Sequence, residues 1–197
     1  LIRTFLAYSN QVGHKDYENV VHIGQTMLSI LKIASFQVNY SQKLTALNMK
    51  SSIFELEFLS PITFAAFESH MPSIDLWLKL GCGGGCLKTI KQQPHTGNSR
   101  PRMQQIAINH QEHLLNALGL PGPGAEKWVQ IIQQSTLNKY QCPIGISIGG
   151  HTLDEYKHVI LTIAKQESSL SLFQQYYEIN ISCPNTTTGK SLHDQLT

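Results

Sequence analysis

The stretch Tyr177-Glu178-Ile179-Asn180-Ile181-Ser182-Cys183-Pro184-Asn185 runs from an apolar strand into a loop bearing two amides, a hydroxyl and a thiol. Such side chains at the end of a buried strand can hold a flat polar ligand beside a reactive thiol. The alternative for Cys183 is an inert buried cysteine that packs as a small hydrophobe. Three further segments have similar chemistry. Lys88-Thr89 pairs a cation with a hydroxyl. Asn116-Ala117-Leu118-Gly119-Leu120-Pro121 sets an amide before a Gly-containing turn, and Ile146-Ser147-Ile148-Gly149-Gly150 ends a strand on two glycines. The bland readings are a solvated lysine and asparagines that cap turns.

The elements that must position these residues read as an alternation. Ile53 to Phe58 alternates apolar and acidic residues, an exposed-strand pattern, and Pro61 to Phe67 reads as a more buried strand. Pro72 to Leu80 has helical spacing, and Gly81 to Leu87 is a Gly-rich strand leading into Lys88. A long polar loop is expected from Lys91 to about His113, with His110 and His113 in solvent. Gly124 to Gln134 then reads as a helix and Pro143 to Ile148 as a buried strand. Thr152 and Glu155 form a capping box for a helix running to about Gln166, and Tyr176 to Ile181 is the next strand. Strands alternating with helices argue for a parallel α/β sheet of βαβ units, and four such strands are half of a (β/α)8 barrel. Chemistry in that fold sits on loops after the strand C-termini, where the four segments fall. Residues 1–50 read as a helical N-terminal extension, with an amphipathic helix over Tyr17 to Phe36, and residues 51–197 as the partial barrel.

The 197 residues suffice for one domain with a sizeable core. A formal net charge of +2, with scattered basic residues, argues against nucleic acid as a partner. No run of about 18 apolar residues is present, and the apolar N-terminus is too short for a signal peptide, so a cytoplasmic location is expected. The four cysteines are too sparse for a disulfide scaffold, which favours reduced thiols. Gly81-Cys82-Gly83-Gly84-Gly85-Cys86 lacks the Gly-Lys-Ser/Thr ending of a phosphate loop, so close packing of small residues is the better reading. Cys82 and Cys86 have no second ligand pair at zinc spacing, and no metal site is expected.

Lys88-Thr89-Ile90, Gly97-Asn98-Ser99-Arg100-Pro101-Arg102, the Asn116 and Ile146 segments and Asn180-Ile181-Ser182-Cys183-Pro184-Asn185 together resemble the dihydroorotate dehydrogenases, most of all their class 1 soluble form that uses fumarate. The resemblance spans about residues 53–195. It implies an FMN-dependent barrel that oxidises dihydroorotate to orotate in pyrimidine biosynthesis, passing electrons to a soluble acceptor such as fumarate. It further implies that Cys183 is the base taking the C5 proton while the C6 hydride goes to flavin N5. A thiol serves there only if its pKa is lowered or its proton is passed on. By resemblance Lys88 contacts flavin and substrate, where a cation stabilises developing negative charge. Thr89, Ala65, Ala66 and Asn180 fall at FMN-contacting positions. Asn116, Leu118, Gly119, Leu120, Asn180 and Asn185 fall at substrate-binding ones.

Two features depart from that pattern. Ala65-Ala66-Phe67 stands where a small residue usually lets the flavin approach, and the second barrel half, with another flavin-contacting lysine, has no counterpart here. The start at Leu1 also reads as a fragment or processed product. A half-barrel exposes unpaired strand edges, so homo-oligomerisation or completion by a C-terminal half is expected. Two competing readings are a non-enzymatic half-barrel remnant used for assembly or binding, and a dihydropyrimidine dehydrogenase-like enzyme, which shares the Ser-Cys-Pro-Asn loop. The sequence lacks the iron–sulfur cysteine cluster of that group's larger members.

Overall fold

The computed structural model describes residues 16–33, 49–166, 170 and 174–181. Its centre is a parallel sheet of β3 (Gly85–Ile90), β6 (Pro143–Ile148) and β7 (Gln174–Ile179), in the order β3-β6-β7. Every residue of β6 is buried. An apolar run of this kind suits a strand covered on both faces. A single parallel bridge, Phe64 to Gly85, occupies the place of a fourth strand beside β3. The strand expected over Pro61 to Phe67 is thus reduced to one bridged residue, held by Phe64 N–H to the Gly84 carbonyl (3.3 Å) and Cys86 N–H to the Phe64 carbonyl (2.9 Å). Neighbours in the sheet follow chain order, as in the first half of a β/α barrel.

Helices cover one face of the sheet. α2 (Met71–Leu80) precedes β3, α3 (Ala125–Gln133) precedes β6, and α4 (Leu153–Ala164) joins β6 to β7. Pro72 in the first turn of α2 suits a position needing no N–H bond, and Gly81 ends the helix in a left-handed conformation (φ 111°). Thr152 caps α4 by accepting from Glu155 N–H (3.3 Å), while the Glu155 carboxylate accepts from His151 N–H (2.6 Å). The core is formed by Leu87, Ile144, Ile146 and Ile148 of the sheet with Ile74, Leu78, Trp128, Val129, Ile132, Val159 and Ile163 of the helices. Each such side chain contributes roughly 1.5–3 kcal/mol by burial.

Two antiparallel hairpins depart from the expected pattern. Ile53 to Phe58 is not one strand but the hairpin β1 (Ser51–Ile53) and β2 (Leu56–Phe58), turning at Phe54, which has a left-handed φ of 54° and is 98% exposed. Alternating residues satisfy one strand or two short ones equally, so periodicity could not locate the turn. β4 (Met103–Ile108) and β5 (Gln111–Asn116) form the second hairpin, where a loop was expected from Lys91 to about His113. β5 is exposed throughout and no residue of β4 is fully buried, so no buried apolar stripe marks the hairpin. The turn residues Asn109 and His110 are both left-handed, the geometry of a tight hairpin turn. His110 and His113 are exposed, as expected.

The glycines before β3 serve close packing. A Cβ at Gly83 would overlap the Ser60 backbone, and Gly145 leaves room for the Tyr176 ring of β7. Helix α1 (Glu18–Ile33) packs against α2, and Tyr17 N–H just before it donates to the Met103 carbonyl (2.8 Å).

Candidate functional site

The chemistry-bearing side chains gather at the C-terminal ends of β3, β6 and β7. The β3–β6 register slips between Leu87 and Ile90, so Lys88 and Thr89 stand opposite the single residue Ser147. A bulge of this kind re-aims a side chain. Thr89 Oγ1 lies 2.9 Å from Ser147 Oγ, and Asn180 Nδ2 donates to Thr89 Oγ1 at 2.9 Å. Asn180 N–H donates to the Ile148 carbonyl (2.8 Å), and its own carbonyl accepts from the Tyr156 hydroxyl (2.6 Å). A polar chain thus crosses three strands, with Thr89 5% and Ser147 0% exposed. Sequence reading placed Thr89 and Asn180 here but assigned no role to Ser147 or Tyr156. The signal for Ser147 was available, as a hydroxyl between two isoleucines in an otherwise apolar strand.

Lys88 is half-buried beside this network, and its N–H donates to the Glu68 carbonyl (3.0 Å). Burial pulls its ammonium below the ordinary lysine value; the Glu68 charge opposes the shift, Arg102 adds to it and Glu18 opposes it. Lys88, Thr89, Lys91, His95, Leu120 and Trp128 line one open cleft, whose volume of ≈ 20 Å³ is room for about one water.

The turn expected to bind substrate through Leu118, Gly119 and Leu120 also borders this cleft. Gly119 and Leu120 both have positive φ, 71° and 53°. A left-handed leucine is an uncommon conformation, of the sort that gathers at ligand-binding positions. The turn is tied to the Gly97–Asn98 loop: Asn98 N–H donates to the Leu118 carbonyl (3.0 Å) and Asn98 Nδ2 to the Ala117 carbonyl (2.9 Å). His95 bridges both segments, its Nδ1 accepting from Gly97 N–H (3.0 Å) while the ring also bonds the Gly119 backbone. Burial, then the nearby Lys91 charge, holds this imidazole below its ordinary value.

Other expected residues lie elsewhere or outside the described range. Asn116 closes β5, exposed, at the base of the second hairpin. Ala65 is exposed and Ala66 half-buried, directly after the Phe64 bridge. The Phe67 ring, at the position where a small residue was expected, packs against Trp77 of α2 with centroids 5.2 Å apart. Cys183 and Asn185 fall outside the described residues. Of the other thiols, Cys86 and Cys142 are each pushed up to about 12, Cys86 by burial and then Glu178, Cys142 by burial and then Cys82.

A parallel β/α half-barrel with a cation, hydroxyls and an amide at its strand ends defines the class: a barrel protein built to bind a small polar ligand at its C-terminal face. Comparison with known proteins narrows it. The profile of the family described as dihydroorotate dehydrogenase matches residues 48–196, and the chain belongs to that family. It is 33% identical over 122 residues to the "Dihydroorotate dehydrogenase B (NAD(+)), catalytic subunit" of Desulforudis audaxviator, covering 62% of this chain and 36% of that protein. It is 25% identical over 179 residues to the "Dihydroorotate dehydrogenase (quinone)" of Chloroflexus aurantiacus, covering 90% of this chain and 48% of that protein. The chain therefore spans less than half the length of these relatives. Two crystal structures of the Eimeria tenella enzyme share the fold. The ligand-free form has a TM-score of 0.55 at 22% identity, over 79% of this chain and 42% of that one. The ferulenol complex has 0.59 at 19%, over 85% and 45%.

Proposed function

We propose that this chain contributes the first half of an FMN-dependent barrel that oxidises dihydroorotate to orotate in pyrimidine biosynthesis. The observation that carries the reading is the Asn180–Thr89–Ser147 chain beside Lys88, at the strand ends of a chain in this family. The donor set fits one edge of FMN: Lys88 brings a cation, Thr89 a hydroxyl and Asn180 an amide, and Gly149, where an added Cβ would stand 2.7 Å from Thr89 Cγ2, lets the ends of β3 and β6 pack closely. When bound, FMN supplies the acceptor for the hydride that leaves C6.

The chain's own residues then have separate tasks. Cys183 takes the C5 proton, and the partly desolvated Lys88 sets positive charge near the substrate carboxylate, where little water screens it. The backbone from Leu118 to Leu120 meets the carboxylate, while Asn116, Asn180 and Asn185 pair with the pyrimidine's donors and acceptors. Ala65 and Ala66 give the flavin its close approach, and Phe67 stays with Trp77.

The electron acceptor is proposed to be soluble, fumarate being one candidate, and the enzyme cytoplasmic. The relatives' names divide between NAD(+) and quinone. Among the described residues no helix is long and apolar enough to cross a membrane, and α1 has one Lys and no Arg, too few for a membrane-surface helix. We place residues 1–50 as a helical addition and 51–197 as the half-barrel. Its open side would be covered by a second copy or by further barrel strands, and a clean, cooperatively folding monomer in size-exclusion chromatography counts against that. A non-enzymatic half-barrel used for assembly or binding is the second reading, favoured by the chain's spanning less than half the length of the relatives it matches.

The decisive experiment is flavin extraction from the purified full-length protein, with dye reduction driven by dihydroorotate and, in parallel, uracil with NADPH. Flavin in the extract and reduction by dihydroorotate alone are expected. Colourless full-length protein with no extractable flavin sinks the oxidoreductase reading, and turnover of uracil moves it to the dihydropyrimidine class.

A further inference from the structure

The ion pairs at the start of α1 reach the turn that borders the candidate site. Arg102 grips Glu18 with two bonds, Nη2 to Oε1 at 2.6 Å and Nε to Oε2 at 2.7 Å. Both side chains are nearly buried, at 11% and 10% exposure. The remaining nitrogen, Nη1, donates to the carbonyls of Thr96 and Asn98, the latter at 3.0 Å. Asn98 in turn holds the Leu118 and Ala117 carbonyls, and a Cβ at Gly119 would press on the Asn98 side chain at 2.6 Å. Contacts therefore run unbroken from Glu18 through Arg102 and Asn98 to the left-handed Gly119–Leu120 turn. A second pair braces the same joint: Arg100 Nε donates to Asp16 Oδ2 (2.6 Å) and its Nη2 to Asn19 Oδ1 (2.6 Å).

We propose that Glu18 is a positioning residue: by fixing the Arg102 fork it holds the Gly97–Asn98 loop, and through it the backbone that recognises the substrate carboxylate. This rests on the reading above and extends it to a helix outside the barrel. A bidentate carboxylate–guanidinium pair sets direction as well as charge, so an amide in place of Glu18 leaves Arg102 one acceptor oxygen and a misplaced donor. The carboxylate's effect on Lys88 has the same sense, since Glu18 favours the ammonium that Arg102 opposes, with Glu68 the other carboxylate acting on that lysine.

The test compares the full chain with its Glu18→Gln variant, with Gly24→Ala as a control on the same helix, where an added Cβ meets nothing within 4 Å. Amide exchange followed by NMR is the first readout. In Glu18→Gln the amides of Asn98 and Ala117, which bond Leu118 and Arg102 carbonyls, should exchange at least about tenfold faster, while Ile146 in β6 stays unchanged. Ligand affinity is the second readout. Orotate should bind about tenfold more weakly to the variant, whereas uracil, the same ring without the carboxylate, should bind equally to both. Glu18→Asp, which keeps the charge but shortens the reach, should fall between and serves if Glu18→Gln does not fold. Unchanged exchange at Asn98 and Ala117 overturns the proposal, as does equal weakening of orotate and uracil. If the full-length protein with Glu18 unaltered binds neither ligand, the dihydroorotate reading fails, and the exchange pattern alone then decides the role of Glu18.

Discussion

Replacing Thr89 by valine tests the polar chain across the sheet with little change of shape. The substitution removes one hydroxyl, and with it the 2.9 Å contacts to Ser147 and Asn180. A hydrogen bond contributes about 0.5–1.5 kcal/mol net, and a buried polar group that loses its partner costs about 1–3 kcal/mol. Ser147 is fully buried, so the larger cost applies to its hydroxyl. Together these give a destabilisation of about 2–3 kcal/mol. For a chain of this size that lowers Tm by about 4–12 °C. Ser147→Ala alone should cost about 1 kcal/mol, because Thr89 keeps Asn180. In the double variant no orphaned Ser147 hydroxyl remains, so the pair should be less destabilised than the sum of the singles by about 1–2 kcal/mol. Urea unfolding of all four proteins measures this, with the fluorescence of Trp77 and the core residue Trp128 as the signal. Strict additivity, or a Thr89→Val cost below about 0.5 kcal/mol, would show that the hydroxyls are not coupled as the geometry requires.

Other expectations follow from single contacts. Gly83→Ala must displace the Ser60 backbone and should cost more than about 3 kcal/mol, whereas Gly24→Ala within α1 should gain about 0.5–1 kcal/mol; opposite shifts in Tm check both. Arg102 holds the Glu18 carboxyl below its ordinary 4.5, against burial. At Asp16 burial also opposes ionisation, but bonds from Arg100 and the backbone outweigh it and leave the carboxyl below 3.8. With folded values depressed, the stability these groups lend is complete above that range and is lost as pH falls through the lowered values. The Tyr17 amide should therefore lose exchange protection below about pH 4 before Ile146 does. In alkylation of the native protein near neutral pH, Cys86 and Cys142, with thiols near 12, should stay unmodified while Cys183 reacts first; mass spectrometry of the peptides reads the order.

What the sequence disclosed tracks how local the responsible physics is. Thr152 with Glu155 marked the start of α4 because a capping box lies within four residues. Pro143–Ile148 was legible as a strand because burial on both faces demands a continuous apolar run. The β4–β5 hairpin escaped because strands wet on both sides have no stripe, and its Asn109-His110 turn is a weaker signal than Asn-Gly. The Lys88–Thr89 bulge escaped for a different reason: register is a property of two strands. Arg102 was noticed as part of a motif, yet its partner Glu18 lies 84 residues earlier, and no pattern in one sequence joins them. Thr89 and Asn180 were placed by family resemblance, and the structure adds the reason they belong together, a shared hydrogen bond with Ser147 at one end.

The two sides of the candidate site are held by different forces, and Lys88 stands between them. On the sheet side the restraints are neutral hydrogen bonds among Thr89, Ser147 and Asn180, shielded from water and indifferent to salt. On the loop side they are ion pairs from Arg100 and Arg102 to Asp16 and Glu18, open to acid and, at the half-exposed Arg100, to screening. Lys88 pays for its burial with a weakened hold on its proton, which Glu68 and Glu18 partly restore. A change in α1 therefore reaches the site in two ways, through the placement of the Gly119–Leu120 turn and through the charge on Lys88. Both act at the rim of the site, and neither touches the hydrogen bonds among Thr89, Ser147 and Asn180. Helix α1 thus belongs with the site it helps to shape, although it precedes the first barrel strand position in sequence.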